Sequence, residues 1–361
     1  MAKRQHTDAF GRTDIKSLSL EQLQEAMVGL GKAKFRALQV YKWLWQKGVS
    51  SFDEMTNVSK DARTGLAEKF YIPQLEIVTR QISEDGTEKI VWKCEDGSRI
   101  ESVLIPEDER LTLCMSTQVG CAMACSFCLT GDLGLKRNLR PSEIANQPAQ
   151  LQKLIGEDRR ISNLVLMGMG EPLHNIDSLI VALGIALHDE GLNFSHRKVT
   201  VSTVGLVSKL KQLSDALPVN LAISLNASTE EQRLQVMPIT KKHSMAELLD
   251  ACREFPMTSG KRISFEYVMM KGFNDSMEDA VRIEKLLRGI KAKVNLIPYN
   301  ENPNRDIKRP TKARVREFQE YLQRHGLSTS VRITRGRDIS AACGQLGKTK
   351  IAEPDLPTGG N

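Results

Sequence analysis

The sequence predicts an α/β protein: a partial parallel βα barrel, preceded by a small helical N-terminal domain and an antiparallel β-meander that links the two. Three observations carry this reading. Apolar residues recur at helical spacing before residue 74, the period drops to two between 76 and 106, and beyond 109 short apolar runs alternate with amphipathic stretches. The 361 residues are enough for two or three domains, with 40% hydrophobic and 26% charged residues.

In the N-terminal segment, Ser19 and Gln22 form a capping-box pattern that opens a helix ending at Gly29-Leu30-Gly31. A second helix is expected over 32–47, with Phe35, Leu38, Val40, Trp43 and Leu44 on one face and Gly48 as its stop. A third is expected over 59–70. Two helices joined by Gly-Leu-Gly, with Lys32, Lys34 and Arg36 opening the second, suit a helix-hairpin-helix holding a nucleic-acid backbone. A plain helical pair with Trp43 and Trp45 in its core explains the pattern equally well. The first 75 residues carry 12 Lys and Arg against 8 Asp and Glu, more than half of the chain's net charge of +7. Such an excess suits a phosphate-rich partner and also occurs on ordinary solvated surfaces.

From 76 to 106, apolar runs are separated by Asp85-Gly86 and Asp96-Gly97, which predict two tight hairpins. Strands rich in Val, Ile and Leu follow at 111–115, 163–168, 198–203, 220–225, 263–269 and 293–298, with a seventh at 329–333. Amphipathic helices are expected between them at 142–155, 177–190, 206–216, 245–254, 277–289 and 311–325. Six βα units suggest a parallel barrel with its site at the C-terminal strand ends, and a doubly wound sheet is the alternative. The domain limits are therefore 1–74, 75–108 and 109–346, with a tail over 347–361 that is expected to be disordered from Glu353.

The first barrel strand runs into Gly120-Cys121-Ala122-Met123-Ala124-Cys125-Ser126-Phe127-Cys128. Three cysteines at this spacing cannot complete a four-sulfur shell. If they hold a 4Fe-4S cluster, one iron stays open for a substrate. A zinc knuckle or three incidental buried cysteines are the alternatives. The six histidines form no H-x-H or H-x3-H pair. Seven cysteines, unevenly spread, argue against a secreted disulfide scaffold. Met1 to Lys16 lacks an apolar signal core and no run approaches a membrane span, so a cytoplasmic protein with no membrane contact is expected.

Other strand ends carry polar groups: Gly168-Met169-Gly170-Glu171-Pro172, Ser202-Thr203, Ser224-Leu225-Asn226 and Asn300. Each alone is as readily a turn or a helix cap. Cys94 and Cys252 fit buried hydrophobes. Cys343 lies between Ala-Ala and Gly in a polar, basic loop, a setting in which a thiolate could be stabilised and reached.

Together these motifs resemble the RlmN/Cfr family of radical S-adenosylmethionine (SAM) RNA methyltransferases. The likeness rests on Cys121-x3-Cys125-x2-Cys128, Gly131 to Leu139, Met167 to Pro172, Ser224 to Asn226, Met237-Pro238-Ile239 and Ala342 to Leu346. Met169 stands where the usual Gly-Gly-Glu-Pro element has its second glycine. The resemblance implies a partial (β/α)6-type radical SAM barrel, with Cys121, Cys125 and Cys128 as ligands of a 4Fe-4S cluster. It also implies SAM contacts at Gly170, Glu171, Ser202, Ser224, Leu225, Asn226 and Asn300. Adenine C2 is too electron-poor to attack a methyl sulfonium directly. By the resemblance, Cys343 first takes a methyl from one SAM. A radical generated from a second SAM removes hydrogen from that methyl, and the carbon adds to C2. Cys114 then attacks the Cys343 sulfur, releasing methyladenosine and leaving a disulfide. Glu101 aligns with the family's general base; read from its strand alone it faces solvent. Whether Glu101 or Cys114 takes the C2 proton stays open.

The implied partners are 23S rRNA, tRNA at the adenosine next to the anticodon, and an electron donor such as flavodoxin or ferredoxin, acting on a monomer. The motifs and the helical extension favour the C2-methylating branch over the C8-methylating one. An RNA-binding protein with a structural metal, or a radical SAM enzyme of different output, would leave the setting of Cys343 unexplained.

Overall fold

The computed structural model describes residues 6–257, 260–302 and 305–347. At the N-terminus, β1 (Thr13–Asp14) pairs in parallel with β2 (Phe70–Tyr71), enclosing α1 (Leu20–Gly29), α2 (Arg36–Lys42) and α3 (Lys60–Lys69). The expected capping box forms: the Gln22 amide donates to Ser19 Oγ at 3.2 Å, and the Ser19 amide donates to Gln22 Oε1 at 2.8 Å. The second helix begins at Arg36, not 32. Lys32 to Phe35 holds no side chain able to cap, and the Lys32 amide folds back onto the Met27 carbonyl at 2.9 Å. Its last turn, Trp43–Lys47, widens to π geometry and ends on Gly48 in the left-handed conformation.

Buried polar groups fasten this unit to the barrel. Lys16 Nζ lies over the Trp45 ring and donates to Asn146 Oδ1 at 2.8 Å, and Ser142 Oγ donates to Asp14 Oδ2. Burial lowers the Lys16 ammonium to about 8, with Asp14 opposing the shift.

Strands β3 (Glu76–Ile82), β4 (Glu88–Lys93) and β5 (Arg99–Glu107) form the predicted meander. Gly86 and Gly97 take φ +81° and +78° in its two hairpins, as Asp-Gly turns require. The meander is not a free-standing link. β5 pairs antiparallel with β6 (Arg110–Cys114), so these three strands extend the barrel sheet. A short pair, β7 (Gln118–Gly120) and β8 (Leu135–Asn138), brackets the cysteine loop and α4 (Leu129–Asp132).

From there the chain repeats α5 (Pro141–Ile155), β9 (Asn163–Leu166), α6 (Ile176–Leu187), β10 (Val199–Thr203), α7 (Val207–Ala216) and β11 (Asn220–Ser224). It continues through α8 (Glu230–Val236), α9 (Met245–Glu254), β12 (Ile263–Met269), α10 (Met277–Leu286), β13 (Ala292–Pro298), α11 (Lys312–Arg324) and β14 (Ser328–Val331). Strands β6 and β9 to β14 are parallel and lie side by side in chain order. That order never reverses, which rules out the doubly wound alternative. The predicted strand and helix positions hold with ends shifted by a few residues. α8 and the pairs β1–β2 and β7–β8 were not expected, being too short to show a period.

Among the described strands the sheet has edges at β14 and β3 and no pairing closes it. The loop after β14 crosses the gap. Gly336 donates to Asp85 Oδ2 at 2.9 Å, Asp338 accepts from Ser83 Oγ and the Glu84 amide, and Lys89 donates to the Ile339 carbonyl. These contacts set Cys343 over the C-terminal strand ends. The tail expected to be disordered from Glu353 lies outside the described residues. No helix among the described residues is long and apolar enough to cross a membrane.

Candidate active site

The cysteine loop starts where a side chain cannot fit. A Cβ on Gly120, at φ +77°, would lie 1.8 Å from the Gly134 carbonyl oxygen, which accepts from the Cys121 amide at 2.9 Å. Ala124 also takes a positive φ of 50°, turning the chain between the first two cysteines. The Cys128 amide donates to the Cys125 carbonyl at 3.1 Å, and the Ser126 amide to Val236 at 3.0 Å. The result places Cys121, Cys125 and Cys128 on the wall of one cavity of about 160 Å³, together with Cys343.

No group of three or more His, Cys, Asp or Glu among the described residues is positioned to hold a metal ion. A cluster asks for something different, since each thiolate binds its own iron and the sulfurs stand apart around one hollow. Three cysteines on one cavity wall, with no competing histidine or aspartate lining it, fit that donor set. Burial raises the thiol of each, with Cys121 pushed up to about 11. Neighbouring thiolates raise Cys121 and Cys125 further. Iron, if bound here, would have to displace protons.

Gly170, Glu171, Ser202, Ser224, Asn226 and Asn300 line the same cavity, and Leu225 does not. The Leu225 side chain is in the core and its amide donates to the Glu266 carbonyl at 3.0 Å. Close approach explains the glycines: a Cβ on Gly168 would meet the Met115 carbonyl at 2.6 Å, and one on Gly170 the Gln118 side chain at 2.5 Å. Glu171 is buried, and its carboxylate accepts from Thr203 Oγ1 at 2.6 Å and from the amides of Val204 at 2.9 Å and Leu173 at 3.0 Å. Burial nevertheless pushes this carboxyl up to about 7. Asn226 takes φ +57°, and its Oδ1 accepts from the Val268 amide at 2.9 Å. Asn300 donates to the Cys343 carbonyl at 3.1 Å and accepts from Thr334 Oγ1.

Cys343 also lines a second, larger chamber of about 550 Å³ inside the barrel, and Cys114 lines that chamber too. Burial first, then the adjacent Cys343, pushes the Cys114 thiol up to about 12. Glu101 is in neither space. It is buried on β5, contrary to the solvent-facing strand residue read from sequence, because the β7–β8 hairpin of the cysteine loop and the chain at Gly347 cover that face. Its Oε2 accepts from the Gly347 amide at 3.1 Å, beside a hollow lined by Met169 and Gly120.

Two residues escaped the sequence reading. Arg332, just past β14, shares both chambers with Cys343, whose negative charge is the main cause of its raised pKa. Arg233 on α8 is fully buried and donates to the carbonyls of Val204, Ser224 and Leu225 and to Thr240 Oγ1, tying the ends of β10 and β11 together. Nothing marks a buried arginine on a seven-residue helix. Arg332 could have been found as a cation at a strand end facing two cysteines.

Two family profiles match, the ribosomal RNA large subunit methyltransferase N-terminal domain over 13–72 and the radical SAM superfamily over 115–283. The dual-specificity RNA methyltransferase RlmN of Anaeromyxobacter sp. (strain Fw109-5) is 52% identical over 93% of this chain and 90% of its own length. The chain belongs to the RlmN family. The RlmN of Geobacter sulfurreducens is 48% identical over 94% of both chains. The crystal structure of a radical SAM methyltransferase from Sphaerobacter thermophilus superposes with a TM-score of 0.86 at 38% identity, covering 92% of this chain and 98% of that one. As an RlmN-family member, the protein is a radical SAM methyltransferase: a helical N-terminal domain joined to a partial barrel that uses SAM and iron–sulfur chemistry.

Proposed function

We propose that this enzyme methylates C2 of an adenosine in 23S rRNA and of the adenosine next to the anticodon in tRNA, with Cys343 carrying the carbon and Cys114 releasing the product. The observation that carries this reading is the place of Cys343, which lines both the cavity of the three-cysteine loop and the chamber that holds Cys114. The dual-specificity name of the relatives supports the two RNA substrates.

Cys121, Cys125 and Cys128 would hold a 4Fe-4S cluster with one open iron, and Gly170, Glu171, Ser202, Ser224, Asn226 and Asn300 would surround SAM. When bound, the cluster supplies the electron that cleaves SAM and starts hydrogen removal from a methyl group. The protein's own groups do the rest. Arg332 lines both cavities beside Cys343 and supplies a positive charge where that sulfur accepts a methyl. Asn300 fixes the backbone at Cys343. Cys114, at the end of β6 and lining the same chamber as Cys343, would attack the Cys343 sulfur once the carbon is joined to RNA. Glu101 as the base requires the RNA or the loop after Cys343 to shift, since it lies outside the cavity. The basic N-terminal domain binds the RNA backbone, an electron donor such as flavodoxin or ferredoxin feeds the cluster, and the enzyme acts as a monomer in the cytoplasm.

Nucleoside mass spectrometry of rRNA and tRNA from a deletion strain tests the reading. The expected result is loss of 2-methyladenosine from both RNAs, restored by the wild-type gene. Loss of 8-methyladenosine instead would place the enzyme in the other branch, and unchanged nucleosides would refute the proposal.

A further inference from the structure

The interior of the barrel is unusual. Closed βα barrels fill their lumen with layers of branched apolar side chains. Here Thr112, Asn163, Thr200, Ser264, Asn295 and Ser330, from six different strands, line a continuous chamber that reaches up to Cys114 and Cys343. Asn163, Thr200, Ser264 and Lys293, which also lines it, stand near the starts of their strands, so the chamber runs toward the end of the barrel opposite the cysteine loop. The same three side chains, Thr200, Ser264 and Lys293, border both the chamber and an outer hollow at that end. Its walls are basic. Arg197, Lys261, Arg262 and Lys293 line it, while Glu107 at the chamber's edge is ion-paired with Arg110 at 2.9 Å. Deeper in, the Glu266 carboxylate accepts from Ser264 Oγ and Asn295 Nδ2, each at 2.7 Å.

We propose that this passage admits a low-molecular-weight anionic thiol to Cys114, where it reduces the Cys114–Cys343 disulfide left by each turnover. The inference rests on the two-cysteine reading above. The thiolate must approach in line with the S–S bond, opposite the sulfur that leaves. Cys114 is in the barrel wall and Cys343 on the crossing loop, so approach from the lumen attacks Cys114 and expels Cys343. The Cys343 thiolate leaves beside the Arg332 guanidinium, which lines the same chamber. The first thiol thus forms a mixed disulfide with Cys114. A second thiol attacks the external sulfur, giving the small disulfide and a Cys114 thiolate, which takes a proton from water in the polar chamber. Two external thiols are oxidised, and one protein disulfide is reduced to two thiols.

The test uses full-length holoenzyme after a single turnover on RNA, with 2-mercaptoethanesulfonate as anionic probe and cysteamine as cationic probe at equal thiolate concentration. Alkylation and peptide mass spectrometry follow the return of the two cysteines. Reduction should run about tenfold faster with the anionic probe. Lys293 and Arg262 are exposed, so Lys293→Glu/Arg262→Glu should fold and should abolish or invert that preference, leaving single-turnover methyl transfer unchanged. Acid-quenched samples should carry the probe on Cys114. Equal rates with both probes, a probe trapped on Cys343, or a double variant that loses RNA binding while keeping the wild-type preference would overturn the passage and leave the two-cysteine reading standing. Turnover that leaves no Cys114–Cys343 disulfide would overturn both.

Discussion

Glu171 joins the ends of two strands: its carboxylate, in the turn after β9, accepts three hydrogen bonds, two of them from Thr203 and Val204 at the end of β10. Burial outweighs those bonds and lifts its pKa from 4.5 to about 7. A carboxyl whose folded pKa is raised contributes stability that is complete below its unfolded value and is lost as pH rises through the folded one. In the apo-protein, wild type should lose up to about 3 kcal/mol from this group between pH 4.5 and 7. Glu171→Gln should be less stable than wild type at pH 5, since its amide NH2 opposes the Val204 amide, and the gap should narrow toward pH 7.5. Urea melts of the two proteins across that range check this; a gap that widens with pH would show that the carboxylate, not the acid, is favoured. Glu171 was legible as a site residue because Gly-x-Gly-Glu-Pro marks a close approach of backbone. Its bonding was not, because the partners Thr203 and Val204 come from another strand. Glu101 misled for a related reason: a charged residue on a meander strand reads as exposed until the cysteine-loop hairpin, from further along the chain, is seen to cover it.

At the scale of elements, the cysteine loop depends on one position. Gly120→Ala adds a Cβ that strikes the Gly134 carbonyl and forces an L side chain to φ +77°. The variant should lose more than about 2 kcal/mol and bind less iron on anaerobic reconstitution, with α5 and the N-terminal unit still folded by circular dichroism. Iron content equal to wild type would mean that the loop has another way to turn. The N-terminal unit makes a separate prediction. Deleting it would uncover Ser142 and Asn146 of α5, which bond to Asp14, Lys16 and Pro73, so charge reversal is the sharper probe. Lys34 is exposed and Arg36 half-buried at the start of α2. Lys34→Glu/Arg36→Glu should weaken RNA binding and flatten its salt dependence by roughly one to two in slope. Unchanged affinity and slope would leave these helices a purely structural role. The helices themselves were readable from capping and period. The start of α2 was not, because a run of good helix formers without a cap looks continuous in sequence.

The whole molecule is built on one ten-stranded sheet that leaves a gap, and the loop bearing Cys343 fills the gap by latching onto the meander hairpin. The parallel strands were legible because strands covered on both faces become apolar runs. The polar lumen was hidden inside those runs: Ser264 and Glu266 alternate with Ile263, Phe265 and Tyr267, and only closure of the sheet decides which set faces inward. Likewise, the meeting of Cys114 and Cys343 in one chamber depends on a crossing made more than 200 residues after β6 begins. That meeting is the centre of the account, and Cys114→Ala in the intact holoenzyme tests it most directly. The variant keeps the carbon carrier and lacks the thiol that resolves the adduct, so labelled RNA should remain attached to Cys343 through a methylene. Denaturing electrophoresis should show a shifted band that resists reductant, and peptide mass spectrometry should place it on Cys343. Normal turnover by Cys114→Ala with no RNA adduct would contradict the two-cysteine mechanism.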